Sequence, residues 1–351
     1  MTRLPDMTGI TKNTARGLFR LISWRSDIFG YKIKAMELRI GHLSTFYHTA
    51  ILLMAGFPEG TLDDVRKDTQ ITWTLFGTGP AIVSAFKDNL IDIAYIGLPP
   101  AIIGIEQGAS IKCIAGGHIE GTVIAGEKGL KAYPELPGLD DVLGQLRGKT
   151  IGVPGKGSIH DVILADALER FDLQHSVTVI NYKWADEITE AMAKGKVQAA
   201  AGTPALAVSV KRFAGGKVLY PPYLIWPANP SYGIVADTKF VNARPFLIGP
   251  FLKAHEEASA MLRERPSECA ARIASYTGIV DEEFILDTIL MSPKYCAQLT
   301  EGYIGSTMKF VTALKKLGYI KREPSKDEIF ETGFISRAHP PGDHYGQAAI
   351  P

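Results

Sequence analysis

Short apolar segments of this chain end four times in turns rich in glycine, proline, serine and threonine, and a helical pattern follows each turn. The turns are Gly77-Thr78-Gly79-Pro80, Gly97-Leu98-Pro99-Pro100, Gly155-Lys156-Gly157-Ser158 and Gly202-Thr203-Pro204. A helix leaves its first backbone N–H groups unpaired at the positive end of its dipole, so helix N-termini that meet in one cleft can hold a small anion or polar molecule. The pattern favours binding over bond-breaking chemistry.

Strand-like and helical segments alternate along the chain in two blocks. The predicted strands cover residues 38–43, 71–76, 91–96, 111–115, 150–153, 177–181, 197–201 and 232–236. Such alternation is typical of βαβ units on a mostly parallel sheet. Open sheets of this kind bind ligands at the carboxyl ends of their strands, where all four turns lie. From residue 246 onward the pattern changes to amphipathic helices.

Two Pro/Gly-rich stretches mark the expected crossings between domains. The sequence predicts a basic segment without assigned fold at 1–35, the first part of lobe I at 36–130, lobe II at 131–222, a return to lobe I with C-terminal helices at 223–336, and a loose tail at 337–351. The expected fold class is therefore α/β, with two lobes, a ligand cleft between them and a helical C-terminal tail.

The charge balance argues against two classes of partner. Lys and Arg number 38 and Asp and Glu 37, a formal net charge of +1, whereas nucleic-acid-binding domains are usually strongly basic. No apolar stretch approaches the roughly 18 to 20 residues that a membrane-spanning helix needs. We therefore expect a small-molecule ligand, no nucleic acid partner and no transmembrane segment.

The cysteines and histidines predict neither a disulfide framework nor a metal site. Cys113, Cys269 and Cys296 are odd in number and far apart, and we assign no zinc-binding spacing to any pair of the eight histidines. No Ser/His/Asp, Cys/His or carboxylate pair stands out as catalytic, and no P-loop or dinucleotide-binding glycine motif is complete. The prediction is no catalytic residue, no metal and no cofactor.

The first 35 residues are basic and carry only short apolar pieces. An export signal needs a continuous apolar core of roughly 7 to 15 residues, and Arg20 interrupts the single candidate. The sequence therefore does not predict a signal peptide here, and the segment is given no role in the fold.

Four segments, taken in order, carry a family resemblance. They are Phe76-Gly77-Thr78-Gly79-Pro80 with Ala85, Leu90-Ile91-Asp92-Ile93-Ala94 followed by Gly97-Leu98-Pro99-Pro100, residues 108–116, and residues 146–154. Together they resemble the periplasmic substrate-binding proteins of ABC transporters for nitrate, sulfonates, taurine and pyrimidine precursors of thiamin, over about residues 36 to 336. The resemblance implies a type II periplasmic-binding-protein-like fold that closes on its ligand by hinge motion and delivers it to an ABC permease with its ATPase.

The resemblance also implies ligand contacts, to which the turn pattern adds others. The contact positions that it implies are Ser44, Thr45, Phe46, Tyr47, His48, Thr78, Gly79, Gly97, Leu98, Pro99, Gly157, Ser158 and His160. The residues themselves add Gly202, Thr203, His118 and Trp226. For Thr78, Ser158 and Thr203 the alternative is a helix N-cap whose hydroxyl serves its own helix. For His48 and His160 it is a structural hydrogen bond at a helix start.

One turn departs from the family pattern. After the strand predicted to end at residue 201, such transport proteins often have a Trp-Glu-Pro turn, and this chain has Gly202-Thr203-Pro204. The missing carboxylate removes the natural partner of a ligand ammonium group. A neutral or anionic ligand is therefore favoured, such as an organic or inorganic anion, a sulfonate or a heteroaromatic precursor.

Two other functions stay open beside uptake. One is a cytosolic enzyme on the same fold that acts on a small acid or pyrimidine-type metabolite, and the other is a cytosolic ligand sensor. The resemblance implies a periplasmic or other extracytoplasmic location, whereas the N-terminal sequence leaves the cytoplasm as the alternative. A monomer is expected.

Overall fold

The strands form two five-stranded sheets. The structure is a computed structural model that describes residues 36–43 and 45–346. The strands are β1 (Met36–Leu43), β2 (Thr69–Phe76), β3 (Ile93–Ile96), β4 (Ile111–Ile119), β5 (Val123–Gly126), β6 (Thr150–Pro154), β7 (Thr178–Tyr182), β8 (Ala199–Gly202), β9 (Lys217–Tyr220) and β10 (Pro230–Asp237). The first sheet has the order β2-β1-β3-β10-β4, and the second has the order β7-β6-β8-β5-β9.

The helices fall between the strands and then dominate the C-terminal third. They are α1 (Thr49–Met54), α2 (Asp63–Arg66), α3 (Gly79–Lys87), α4 (Leu98–Glu106), α5 (Leu139–Gly144), α6 (Ile159–Arg170), α7 (Ala185–Ala193), α8 (Pro204–Phe213), α9 (Pro222–Ile225), α10 (Thr238–Ala243), α11 (Pro245–Glu264), α12 (Pro266–Thr277), α13 (Glu282–Leu290), α14 (Glu301–Lys316), α15 (Lys326–Ile329) and α16 (Gly333–Ala338). The predicted basic segment at 1–35 lies outside the described residues.

The first sheet is the centre of lobe I. β1 runs parallel to β3, with Ile40 opposite Ile93, and β10 runs antiparallel to both β3 and β4. All four residues of β3 are buried, as expected for a central strand that is covered by helices on both faces. The return strand β10 thus closes lobe I after the chain has visited the second sheet.

The second sheet is the centre of lobe II, and it includes two strands that the sequence analysis did not predict. β6 is parallel to β7 and β8, while β5 is antiparallel to β8 and β9. β5 therefore belongs to the second sheet, although residues 36–130 were expected in the first part of lobe I. The chain crosses earlier than expected, between the end of β4 at Ile119 and the start of β5 at Val123.

Strand β4 is longer than the sequence predicted. The prediction ended the strand at residue 115 because two weak strand formers, Gly116 and Gly117, follow. The structure continues β4 to Ile119, and a Cβ atom on Gly117 would lie only 2.2 Å from the ring of Tyr232. The glycine is required by the aromatic ring on the neighbouring strand, a constraint that local sequence cannot reveal.

Most of the C-terminal helices pack against elements of the first sheet's lobe, whereas α13 also packs against α8. Helix α11 packs against α1 and α16, and α14 packs against α4. In α11 the buried Glu256 pairs with the buried Arg263 at 3.0 Å, and Arg263 also donates a 2.8 Å hydrogen bond to the carbonyl oxygen of Tyr295. Residues 337–346, expected as part of a loose tail, include the buried side chains of His339 and Tyr345.

Candidate functional site

A small cavity lies between the two lobes. Its volume is about 50 Å³, which is room for a few water molecules or a small polar group. Its described lining is Leu43, Thr45, Tyr47, His48, Gly77, Thr78, Gly79, Gly97, Pro100, Pro154, Ser158, Ile159, His160, Ala185, Thr203 and Ser231. None of these residues is an aspartate, glutamate, lysine or arginine, so whatever binds here is held by neutral groups.

Besides the short helix α1, whose N-cap is His48, five helices of nine or more residues begin at this cavity. The N-cap residues of α3, α4, α6, α7 and α8 are Thr78, Gly97, Ser158, Trp184 and Thr203. The lining includes the N-cap or first-turn residues of each of these helices. Because each helix has unpaired N–H groups and positive potential at its start, the cavity has the electrostatic character of an anion site without any formal positive charge.

Two of the predicted hydroxyl contacts are used by their own helices. Ser158 Oγ accepts a hydrogen bond from the N–H of Asp161 and donates one to the carbonyl oxygen of Pro154. Thr203 Oγ1 accepts from the N–H of Leu206 at 3.2 Å. Thr78, in contrast, makes no side-chain cap bond to α3. Ser158 and Thr203 therefore cap their own helices, whereas the hydroxyl of Thr78 does not cap α3.

The carboxylate of Asp161 stabilises the turn before α6. It accepts hydrogen bonds from the N–H of Gly157 at 2.7 Å, from the side-chain amide of Asn181 at 2.9 Å and from the Tyr319 hydroxyl at 2.6 Å. The N–H of Gly157 is therefore already used in a hydrogen bond within the protein. Since Tyr319 follows α14 in lobe I, the same carboxylate also joins the lobes.

A second polar contact between the lobes lies at α8 and the start of α13. Arg212 pairs with Asp281 at 2.8 Å and with Glu283 at 3.0 Å, and its guanidinium lies 5.5 Å from the centre of the Phe284 ring. Phe284 also packs edge-on against Phe46. Phe46 and Phe284 pack in one apolar cluster with Ala205 and Val208 of α8 in lobe II, so the predicted contact Phe46 packs between the lobes and does not line the cavity.

The two histidines at the cavity are neutral. Burial lowers the pKa of His160 to about 3, and its Nδ1 lies 3.0 Å from Thr122 Oγ1. Burial, and secondarily the nearby His118, lowers the pKa of His48 well below its ordinary value. A neutral imidazole can donate at one nitrogen and accept at the other, so both residues can bind a polar ligand without adding charge.

Two buried polar atoms at the cavity have no hydrogen-bond partner in the described part of the chain. They are Thr45 Oγ1 and His48 Nδ1. The exposed fractions of their residues are 7% and 2%. Leaving a buried donor or acceptor unpaired costs about 1–3 kcal/mol, and buried polar groups in proteins are nearly always paired. Both atoms are therefore available to pair with a polar group inside the cavity.

Glycines allow the lobes to approach each other closely. A Cβ atom on Gly155 would lie 2.7 Å from the methyl carbon of Thr78, and one on Gly77 would lie 2.9 Å from the carbonyl oxygen of Lys183. Gly77 and Thr78 belong to lobe I, whereas Gly155 and Lys183 belong to lobe II. Side chains at these positions would keep the two faces of the cleft apart.

The structure brings nine of the predicted contacts together at the cavity. They are Thr45, Tyr47, His48, Thr78, Gly79, Gly97, Ser158, His160 and Thr203. The predicted contacts that are described but do not line it are Phe46, Leu98, Pro99, His118, Gly157, Gly202 and Trp226. Trp226 stacks on Phe310 at 4.4 Å, and His118 packs at 5.0 Å from Tyr47. Ser44 lies outside the described residues.

The sequence analysis missed several lining residues. They are Leu43, Gly77, Pro100, Pro154, Ile159, Ala185 and Ser231. Four of these, Leu43, Gly77, Pro100 and Ile159, adjoin a predicted contact, so extending each turn by one residue would have found them. Pro154 ends β6 and Ala185 begins α7, and neither adjoins a predicted contact. Ser231 is different, because it arrives on β10 and its hydroxyl lies 3.1 Å from that of Tyr47. No local motif marks Ser231, since its place depends on the return of the chain to lobe I.

Comparisons with known proteins identify the family and the fold. The sequence model described as the NMT1-like family matches residues 32–277. The sequence matches none of the curated proteins significantly. Within the described residues, no helix combines the length and hydropathy that are needed to cross a bilayer.

Similar solved structures share this fold. The alkanesulfonate-binding protein SsuA from Xanthomonas axonopodis pv. citri, bound to MOPS, has a TM-score of 0.69 at 17% identity, covering 84% of this chain and 98% of that one. The periplasmic aliphatic sulphonate binding protein SsuA from Escherichia coli gives 0.68 at 17%, covering 84% and 92%. The periplasmic nitrate-binding protein NrtA from Synechocystis PCC 6803 gives 0.70 at 12%, covering 90% and 92%. The predicted two-lobe periplasmic-binding-protein-like fold is confirmed.

Proposed function

Since the chain belongs to the NMT1-like family, we propose that it is the solute-binding component of an ABC uptake system. It captures a small molecule between lobe I and lobe II and delivers it to a permease that works with an ATPase. The similar structures named for sulfonate and nitrate binding support this class of function. The observation that carries the proposal is a pair of buried atoms, Thr45 Oγ1 and His48 Nδ1, which have no partner among the described residues and belong to residues that line the inter-lobe cavity.

The chemistry of the cavity favours a small anion or an uncharged polar ligand. The N-termini of five helices supply backbone donors, and the neutral His48 and His160 supply further hydrogen-bonding nitrogens. No described lining residue offers a carboxylate to an ammonium group. The volume of about 50 Å³ matches nitrate, bicarbonate or a single sulfonate group better than a large organic molecule.

Ligand release requires the lobes to separate. Opening breaks the contacts of Asp161 with Tyr319 and of Arg212 with Asp281, so a bound ligand and these contacts together favour the closed form. We take the first sheet with the C-terminal helices as lobe I and the second sheet as lobe II, with the hinge at residues 120–122 and again before β10. In this role the protein acts outside the cytoplasm, as a monomer.

A thermal-shift screen of the full chain tests the proposed function. The panel contains nitrate, bicarbonate, alkanesulfonates, taurine, dicarboxylates and pyrimidines. A binding protein is expected to show a rise in melting temperature with one chemical class, because a ligand that binds only the folded state stabilises it. The ligand should be recovered unchanged. Recovery of an altered molecule would replace the uptake proposal with an enzymatic one, and no shift with any anion or polar solute would refute the assigned ligand class.

Thr45→Val provides a sharper test of the site. Valine keeps the shape of threonine but removes the unpaired hydroxyl, so we expect ligand affinity to fall about tenfold or more, the loss that follows from about 1.4 kcal/mol. The stability of the free protein should stay equal or rise slightly, since a buried group without a partner is removed. Calorimetric titration with the ligand found in the screen, together with urea unfolding, measures both effects.

Thr189→Val is the matched control. Thr189 Oγ1 is also buried without a partner among the described residues, but Thr189 lies in α7 and does not line the cavity. The control should show the same small change in stability and no change in affinity. Equal affinities of Thr45→Val and the unmodified protein would remove Thr45 from the site.

A further inference from the structure

A cluster of one cysteine and two histidines lies in lobe I, away from the ligand cavity. One donor atom each of Cys296, His339 and His344 lies within 4.8 Å of the others. The sulfur of Cys296 is 3.2 Å from His339 Nε2, and the two imidazole rings are 4.9 Å apart between centres. Cys296 is fully buried and His339 is nearly so. Cys296 lies 43 residues before His339, so the cluster joins two separate segments of the lobe.

The hydrogen bonds around the cluster orient its donor atoms toward a common point. His339 Nδ1 lies at hydrogen-bond distance from the carbonyl oxygen of Pro340, and His339 Nε2 lies 3.2 Å from the sulfur of Cys296 and 3.4 Å from Glu256 Oε2. A backbone carbonyl in this position fixes the tautomer of metal-binding histidines. The sulfur of Cys296 accepts a hydrogen bond from the N–H of Gln298 at 3.4 Å.

The third donor is unpaired. His344 Nδ1 is buried, and it has no hydrogen-bond partner within the described ranges 36–43 and 45–346. It lies 3.5 Å from Glu256 Oε1. Glu256 is held in place by Arg263 at 3.0 Å and by the N–H of Ala297 at 2.8 Å. This carboxylate therefore stands beside both histidines as a fixed negative charge.

We propose that Cys296, His339 and His344 bind a zinc ion beside the carboxylate of Glu256, which lies 3.4 Å from His339 Nε2 and 3.5 Å from His344 Nδ1. Thiolate and imidazole ligands select zinc-like cations over magnesium or calcium. On binding, the Cys296 thiol loses its proton to solvent and the sulfur bonds to the metal, while each histidine supplies one neutral nitrogen. A tetrahedral zinc keeps three protein ligands and has a fourth position for water.

The sequence itself contains a histidine pair with a spacing that is found in zinc sites. His339 and His344 form an H-x₄-H pair across Pro340-Pro341-Gly342-Asp343, within the histidine spacing found in zinc fingers. Their partner, Cys296, lies 43 residues before His339, so no compact motif results. The family match ends at residue 277, and all three ligands lie beyond it.

Zinc at this position would tie the C-terminal residues to the core of lobe I. The segment around Cys296 is bonded to β4, since the N–H of Gly116 donates to the carbonyl oxygen of Ala297 at 2.7 Å and the N–H of Cys296 donates to that of Gly117 at 3.2 Å. The ion would link this segment to residues 339–344. Its expected role is structural, and solute binding in the inter-lobe cavity should not require it.

Metal analysis of the full chain tests the proposal. The protein is stripped with a chelator, dialysed and then titrated with Zn²⁺ and separately with Co²⁺. We expect about one zinc ion per chain, a rise in melting temperature of about 5 °C or more at saturating zinc, and a cobalt–thiolate charge-transfer band. Cys296→Ser should abolish the cobalt–thiolate band, and His344→Asn should lower zinc affinity about tenfold or more.

Cys269→Ser and His175→Asn are the matched controls. Cys269 is another buried cysteine and His175 is an exposed histidine, and neither belongs to the cluster. Both variants should keep the metal and the cobalt band. Absence of a cobalt–thiolate band in the unmodified protein would overturn the proposal, even if Cys296→Ser failed to fold. So would loss of zinc from Cys269→Ser together with retention by His344→Asn.

Discussion

Gly155→Ala is expected to reduce solute affinity about tenfold to a hundredfold while the protein remains folded. The added Cβ atom would lie 2.7 Å from the methyl carbon of Thr78 and 3.0 Å from its Cβ atom. Real Cβ atoms do not approach other carbons so closely, and overpacking of this kind costs about 1–3 kcal/mol. Because the contact joins lobe I to lobe II, the cost falls on the closed form and therefore on ligand binding.

Titration calorimetry and small-angle X-ray scattering measure this effect, with the solute found in the thermal-shift screen. The variant should bind more weakly, and its radius of gyration should decrease less on adding the solute. Thr78→Ser in the Gly155→Ala background removes the methyl group that the new Cβ meets, so the clash is partly relieved. Coupling between the two positions in a double-mutant cycle is therefore expected.

Gly144→Ala is the control for adding a methyl group to lobe II. A Cβ atom on Gly144 would meet no heavy atom within 4 Å, so this variant should bind and compact like the unmodified protein. If Gly155→Ala bound solute with unchanged affinity, the closed contact between Gly155 and Thr78 would not be the binding-competent arrangement.

The sequence predicted the order of elements well where local pattern decides them. The long βα units, such as β2 with α3 and β6 with α6, were found within two residues of their observed bounds because apolar periodicity and the Gly/Pro turns mark them locally. β5 and β9 were missed because they exist through their antiparallel partners in the second sheet. β3 and β8 are equally short, but each is followed by a Gly/Pro turn and a helix that mark it in the sequence. Because β5 was not predicted, the early crossing of the chain to lobe II was not predicted either.

The candidate site was predictable to the extent that it is made of turns. Thr78, Gly97, Ser158 and Thr203 reach the cavity because each is an N-cap after a strand, and the carboxyl ends of strands meet at one edge of a sheet. Trp226 was expected to form an aromatic wall for the ligand and instead stacks on Phe310. The sequence alone does not tell which way an aromatic side chain in a crossing segment points, because its packing partner comes from a helix that is distant in sequence.

The cysteine and histidine cluster shows a different limit of sequence reasoning. Cys296 and His339 meet only because α14, α15 and α16 bring the chain back beside α11. Spacing rules detect metal ligands that share a short motif, and this cluster spans most of the C-terminal region. His339 and Tyr345 were expected in a loose tail, but both are buried. These residues of the tail therefore pack against the rest of the protein.

Acidification from pH 7 to pH 5 is expected to destabilise the protein strongly, by about 2 kcal/mol for each histidine that is buried in neutral form. Burial lowers the pKa of His118 and of His160 to about 3. For His118 the nearby Lys294 ammonium lowers the pKa further. In the unfolded chain both histidines titrate near pH 6.5.

The sign follows from proton binding in the two states. Between pH 6.5 and about 3, the unfolded chain takes up protons that the folded protein cannot bind at His118 and His160. The free energy of unfolding is therefore highest above pH 6.5 and falls as the pH drops through this window. Urea unfolding at pH 7, 6 and 5 measures the decline.

His160→Asn should make that decline shallower by up to about 1.4 kcal/mol per pH unit, the contribution of one proton. Asparagine can retain a hydrogen bond to Thr122, which His160 Nδ1 makes at 3.0 Å, so the fold is preserved while the titrating group is removed. His175→Asn changes an exposed histidine and should leave the slope unaltered. An equal slope in His160→Asn and the unmodified protein would mean that His160 has the same pKa in the folded and unfolded states, in which case the cavity would gain a positive charge below about pH 6.5 and bind anions through it.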